Sequence, residues 1–254
     1  MDDSTAGVSV GALGSRSALV VGGSSGLGRA VALALAREGA KVMATGRSNP
    51  ALLELRAIAK ARGLAVRTLR SDARERGQVR TVMRRTGSLL GGPDLLVHAV
   101  GDYWEGPISR LTADRWEDLL RSNVSSALYS MQEALPGMRK RRFGRILLFG
   151  VAGGDFPRAA RWAQAYRAAK VSLFALARSI AQEEAPNGIT VNMILPGVIR
   201  GSAGNKASAS VVKRIPARRL GTPQEIARAA LFLLAEESGY ITGSALTISG
   251  GLLL

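Results

Sequence analysis

The chain has 254 residues, a mass of 26.7 kDa and a formal net charge of +16, with a sequence pI of about 11.4. This length suffices for one large α/β domain with a complete core. The chain has no cysteine, which excludes disulfides and thiolate chemistry and fits a reducing, cytoplasmic setting. No apolar run reaches the roughly 18 residues that cross a bilayer, so no membrane partner is expected.

The positive charge is spread over many segments, with one block at Arg139-Lys140-Arg141-Arg142. Aromatic residues are not interleaved with it and no nucleic-acid-binding motif is present, so no nucleic acid is expected as a partner. The charge reads as a basic solvated surface or as an attraction for phosphates or an acidic carrier protein. Residues 1–15 begin with two aspartates and lack a basic region or a long apolar block. They read as a flexible leader, with a single domain over residues 16–254.

Ala18–Gly22 predicts the first strand. It runs into Gly22-Gly23-Ser24-Ser25-Gly26-Leu27-Gly28 and then an Ala- and Leu-rich helix over Gly26–Glu38, closed by Gly39. A helix start of this kind attracts phosphate through its unpaired N–H groups and its dipole. Gly22, Gly26 and Gly28 permit the tight turn, the close approach of backbone to a pyrophosphate and the packing of helix on sheet. Lys41–Thr45 is the second strand, followed by Gly46-Arg47-Ser48, a helix over Leu52–Ala61 and a third strand at Ala65–Leu69. Asp72 and Ala73 lie just beyond. Gln78–Arg85 reads as a helix, Asp94–Ala99 as strand four, and Ala113–Met138 as a long helix running through Asn123. Arg145–Phe149 is strand five, Tyr166–Glu183 a helix, and Thr190–Leu195 strand six. Pro196 begins a loop to about Ile215. Thr222 caps a last helix over Pro223–Leu234, with Glu225 completing the box, and Ala245–Ile248 is the last strand.

Such alternation predicts an α/β Rossmann fold: a doubly wound, mostly parallel sheet of seven strands with helices on both faces. Ligands of these sheets bind outside the carboxyl ends of the strands, where Gly22, Gly46, Asp72, Ala99, Gly150 and Pro196 all fall. At the end of strand two an NAD site would carry a carboxylate for the ribose 2′-OH. Arg47 and Ser48 stand there instead, and a guanidinium suits a 2′-phosphate, so NADP(H) is favoured over NAD(H).

Tyr166-Arg167-Ala168-Ala169-Lys170, taken with the glycine-rich turn, resembles the short-chain dehydrogenase/reductase family. The resemblance runs from about Arg16 to the C-terminus and includes Asp72, Asn123, Pro196-Gly197, Pro216–Pro223 and Ile241-Thr242-Gly243. Its nearest branch is the one with the 3-oxoacyl-carrier-protein reductases. The resemblance implies Tyr166 as proton donor, Lys170 as its partner and as a holder of the nicotinamide ribose, and Asn123 as the organiser of a water in the proton path. It implies cofactor contacts at Gly22, Ser24, Ser25, Gly26, Leu27, Gly28, Arg47, Ser48, Asp72, Ala73, Ala99, Gly101, Tyr166, Lys170, Pro196, Gly197 and Ile199. No metal is implied. The i, i+4 spacing puts Lys170 on the helix face of Tyr166, and a neighbouring ammonium favours the phenolate.

The chain departs from the family pattern in one region. The family carries a Ser just after strand five; here no Ser or Thr occurs from Arg145 to Ala165, and Val151 takes the position. Losing a donor to the reacting oxygen typically costs ~10²–10³ in rate. The strand-four motif reads His98-Ala99-Val100-Gly101 where the family has two Asn. His98 reads either as a structural replacement for an Asn hydrogen bond or as a proton-active group. Asp155 is a candidate acid, or a solvent-facing turn residue. Tyr103, Trp104 and Trp162 are expected at the substrate side, and residues 200–214 as a mobile lid.

The expected activity is NADPH-dependent hydride transfer to a carbonyl, either an oxoacyl compound, small or carrier-linked, or another small ketone. The alternative is a catalytically impaired NADP(H)-binding regulator or scaffold of the same family. The apolar C-terminus, Leu252-Leu253-Leu254, predicts a homo-dimer or homo-tetramer.

Overall fold

Seven segments rich in Val, Leu, Ile and Ala pair into one sheet in the computed structural model, which describes residues 13–14, 16–157, 159, 161–201 and 209–253. They are β1 (Ser17–Val21), β2 (Lys41–Gly46), β3 (Val66–Arg70), β4 (Leu95–His98), β5 (Gly144–Phe149), β6 (Ile189–Pro196) and β7 (Ala245–Ile248). Their order is β3-β2-β1-β4-β5-β6-β7, and every pairing is parallel. The chain builds outward from β1 to β3, then returns to place β4 against the other side of β1. That reversal opens a crevice at the carboxyl ends of β1 and β4, where ligands of such sheets sit.

Helices α1 (Gly26–Arg37), α2 (Asn49–Ala61), α3 (Arg76–Leu90), α4 (Ala113–Leu120), α5 (Ser126–Arg141), α6 (Gln164–Glu184), α7 (Ala209–Arg214) and α8 (Pro223–Leu234) fill the crossovers. Because strand side chains alternate between faces, β1 sends Ala18 and Val20 into one core and Leu19 and Val21 into the other. The first core packs β1 against Val31 and Leu35 of α1, Leu55 of α2 and Leu233 of α8. The second packs it against Val79 of α3, Met131 and Met138 of α5 and Leu173 of α6. A two-sided sheet explains why the central strands read as continuous apolar runs.

Most element limits move by one or two residues, as helix ends do. Beside three-residue extensions at the start of α2, at Asn49, and at the end of α5, at Arg141, three differences go further. First, α3 starts at Arg76 and runs on to Leu90, because Thr86 is fully buried and Gly91, at φ +85°, supplies the left-handed stop. Second, the long helix expected through Asn123 is broken by one π-helical turn at Arg121–Ser125, between α4 and α5. Third, Ala209–Arg214 inside the expected lid is helical. Residues 202–208 of that lid lie outside the described residues, as do 1–12 and 15 of the expected leader. Leu13 is 4% exposed in the first core, and its N–H donates to Glu38 O at 3.2 Å.

Candidate active site

Strand β1 delivers the chain into the turn Gly22–Ser25, and α1 begins at Gly26. Ser25 occupies the N-cap without donating or accepting a side-chain cap bond, and the first turn of α1 contains no acidic residue. Its terminal N–H groups and its positive dipole end thus stay available to an anion. The turn is drawn tightly onto the helix: a Cβ at Gly28 would stand 2.2 Å from Gly22 O and 3.1 Å from the Ala99 side chain. Ala99, just past β4, therefore touches the same turn. Ser24 is buried, with its hydroxyl laid against Gly46 at the end of β2.

Arg47 projects from the end of β2 with 55% of its side chain exposed and pairs with Asp102 at 3.4 Å. Its main-chain oxygen accepts from Arg70 Nε at 3.2 Å. Ser48 is the N-cap of α2, its hydroxyl accepting from Ala51 N–H at 3.4 Å. Asp72 lies beyond β3 in a bidentate pair with Arg74, which holds its carboxyl below the ordinary range; Ala73 beside it is buried. Across the sheet, Gly197 follows β6 and packs against Ser249, and Ile199 is buried with a short parallel bridge to Gly221. Leu27, half-buried at the start of α1, packs on the first core.

The second half of the site is made of side chains. Tyr166 and Lys170 lie one turn apart near the start of α6. Lys170 is 4% exposed, and its ammonium donates to Phe149 O at 2.8 Å, 5.7 Å from the centre of the Tyr166 ring. Burial lowers the Lys170 pKa to about 8 and pushes the Tyr166 phenol up to about 12. In the chain without cofactor, with Lys170 bonded to the β5 carbonyl, desolvation dominates at Tyr166. A phenol held in its protonated form is the form that donates.

The π-helical turn explains the position of Asn123. Its fully buried side chain donates to Asp102 O and Leu119 O, both at 3.0 Å. Its Oδ1 has no partner among the described residues. A Cβ at Gly101 would lie 2.3 Å from that Oδ1 and 3.1 Å from Lys170 Nζ. Gly101 is therefore the gap through which β4, Asn123 and Lys170 meet, and it exposes one acceptor and one ammonium to the same small space.

Val151 occupies the half-buried position after β5, within a turn closed by Gly154 N–H donating to Val151 O at 2.8 Å. Arg167, the residue after Tyr166, clamps this turn by donating to Ala152 O at 3.3 Å and to Gly153 O. The motif spacing does not indicate this contact; the sequence signal for it is a guanidinium one residue from the Tyr166 phenol. Asp155 is half-buried at the end of the turn. Tyr103 stands edge-on to Tyr166 with ring centres 5.0 Å apart, and Gly106 N–H joins the loops after β4 and β5 by donating to Trp162 O at 2.6 Å. Trp104 packs over Gly106 in the same loop, and Trp162 is 49% exposed.

His98 does not replace an Asn hydrogen bond. It is 1% exposed, and neither ring nitrogen has a partner among the described residues. Burial, aided by the Lys170 charge, lowers its pKa to about 3, so it is neutral at physiological pH.

The uncapped start of α1, a close-fitting glycine seat and, beside a lysine, a buried acceptor without a partner among the described residues suit a dinucleotide laid across the crevice. A family model described as Enoyl-(Acyl carrier protein) reductase matches residues 21–253. The 3-oxoacyl-[acyl-carrier-protein] reductase of Escherichia coli is 34% identical over 239 residues, 92% of this chain and 96% of the relative. The acetoacetyl-CoA reductase of Allochromatium vinosum is 30% identical over 246 residues, 94% and 99% of the two chains. Among solved structures, a blue fluorescent protein from a metagenomic library, in complex with NADPH, superimposes with a TM-score of 0.87 at 28% identity, covering 95% of this chain and 99% of that one. The chain belongs to the short-chain dehydrogenase/reductase family and is an oxidoreductase of the kind that resembles 3-oxoacyl-carrier-protein reductases.

Proposed function

We propose that the chain is an NADPH-dependent reductase of an oxoacyl compound or another small ketone, with Tyr166 as the proton donor. The observation that carries this reading is the meeting of Lys170 Nζ and Asn123 Oδ1, which has no partner among the described residues, at Gly101, with the Tyr166 ring centre 5.7 Å from that ammonium. Bound NADPH supplies a hydride from its reduced nicotinamide ring. The turn Gly22–Gly28 and the start of α1 hold the pyrophosphate, with Ser24, Ser25 and Leu27 lining it. Arg47 and Ser48 would hold the 2′-phosphate, and Asp72 and Ala73 would line the adenosine end. Ala99, Gly101, Pro196, Gly197 and Ile199 supply backbone at the nicotinamide end.

Tyr166 gives its proton to the carbonyl oxygen as the carbon is reduced. Lys170 lies beside the phenol to stabilise the anion left behind, and Asn123 Oδ1 accepts from the water that restores the proton. Carrier-linked thioesters belong among the candidate substrates because the named relatives act on carrier- and CoA-linked compounds. Exposed Phe232 on α8 and Leu246 on β7 support self-association into a dimer or tetramer.

The test follows NADPH absorbance with acetoacetyl-CoA and a panel of small ketones. Turnover is expected, falling by about 10²–10⁴-fold in Tyr166→Phe while NADPH still binds. Turnover unchanged in that variant would remove Tyr166 from the chemistry. Val151 favours a second reading, a cofactor-binding regulator or scaffold. Tight NADPH binding without oxidation by any carbonyl would select it.

A further inference from the structure

We propose that Asp102 sets the cofactor preference of this site by competing with the cofactor's 2′-phosphate for Arg47. The inference rests on the reading of Arg47 as the 2′-phosphate residue and adds a second residue that governs it. Arg47 follows β2 and Asp102 follows β4, and these strands lie on opposite sides of β1. Two strand spacings, roughly 10 Å, separate them. Their ion pair, at 3.4 Å, therefore reaches across the carboxyl end of β1, over the turn that begins at Gly22.

Both ends of this bridge are anchored by their main chains. Asp102 N–H donates to Ser122 Oγ at 3.2 Å, and Asp102 O accepts from Asn123 Nδ2 at 3.0 Å. Arg47 O accepts from Arg70 Nε at 3.2 Å. Only the two side chains are free to exchange partners. Asp72, which Arg47 also reaches electrostatically, is held in a bidentate pair with Arg74, and the ion pair of Arg47 is with Asp102.

The pair is partly exposed, 55% for Arg47 and 30% for Asp102, and exposed pairs of this type are weak. A phosphate carrying nearly two negative charges outbids a single carboxylate for the guanidinium, but Asp102 then loses its ion-pair partner, keeps only the through-space field of Arg74, and repels the phosphate. A cofactor with a bare 2′-hydroxyl leaves the pair closed. Asp102 thus lowers the discrimination that Arg47 alone would provide and lets the site accept both nucleotides.

The experiment measures the dissociation constants of NADPH and NADH by nicotinamide fluorescence for the full chain. It compares the wild type with Asp102→Asn, Arg47→Ala and the double variant, each checked for an unaltered far-ultraviolet spectrum. Asp102→Asn is expected to tighten NADPH by about three- to tenfold, with NADH changing less than about twofold. Asp102→Glu should restore the wild-type ratio. In the double variant the gain should vanish, since its target is gone. If Asp102→Asn leaves the NADPH-to-NADH affinity ratio unchanged while Arg47→Ala lowers it, the competition is refuted and Arg47 keeps its role. If Arg47→Ala also leaves the ratio unchanged, the phosphate assignment on which the competition rests is refuted as well.

Discussion

The two sides of the crevice are built from different kinds of group. Around β1, α1 and β2 the features suited to a ligand are main-chain N–H groups, a helix dipole and glycine contacts with no room for a side chain. Around β4, β5 and α6 they are side chains: Tyr166, Lys170, Asn123 and His98, set in or beside the buried second core. By the resemblance read from the sequence, the first side follows the family pattern and the second departs from it, with Val151 where a Ser is expected and His98-Ala99 where two Asn are expected. A backbone site tolerates substitution at any position that leaves its path unaltered. A side-chain site changes its chemistry with one residue, as at Val151. Cofactor binding and carbonyl chemistry can therefore diverge independently in this chain.

That contrast can be broken experimentally. The largest effect is expected from Gly28→Ala. Its Cβ would meet Gly22 O at 2.2 Å, so the turn must open; NADPH binding should be lost and urea denaturation should show a cost of about 1–3 kcal/mol. Retained binding would mean that the turn is not the anion site. Next, Val151→Ser should raise kcat for a ketone by about 10²-fold if a missing donor limits the reaction. A flat response would show that the side-chain half is altered beyond one hydroxyl.

Smaller effects concern stability. Burial lowers His98 from 6.5 to about 3, so between those values only the unfolded chain takes up its proton. Its contribution to stability is full above pH 6.5 and is lost as pH falls toward 3. The urea midpoint of His98→Asn should therefore fall less than that of the wild type between pH 7 and pH 4.5. Equal slopes would place a charged or solvated imidazole in the native state.

Lys170 has the same sign at higher pH. Between about 8 and 10.5 the unfolded chain holds the extra proton, so the penalty for burying the ammonium is full below 8 and disappears as pH rises. Lys170→Met should be more stable than the wild type at pH 7, by a margin that shrinks toward pH 10. A constant margin would mean that Lys170 does not titrate in that window.

Much of this architecture was legible in local pattern. The apolar runs, the glycine-rich turn and the Thr222–Glu225 capping box marked strands and helix ends, and all seven strands lie where the runs placed them. Tyr166 and Lys170 were legible because an i, i+4 pair is a local relation. The π-helical turn at Arg121–Ser125 was not, because its residues fit an ordinary helix equally well and only packing extrudes the extra one. The lack of a partner for His98 among the described residues was hidden too: a residue type reveals what a side chain can bond, not whether its neighbours can answer.

From the sequence alone came the order of elements, the parallel sheet, the end of it that holds a ligand, and the residue types on hand for phosphate and proton. Tertiary structure alone decided the partners: Arg47 with Asp102, Lys170 with the Phe149 carbonyl, Arg167 with the turn at Ala152, and Asn123 Oδ1 with none among the described residues. The physical reason is range. Periodicity, caps and turns arise between residues a few positions apart, whereas ion pairs, burial and shifted proton affinities depend on which distant segments the crossing of β1 by β4 brings together.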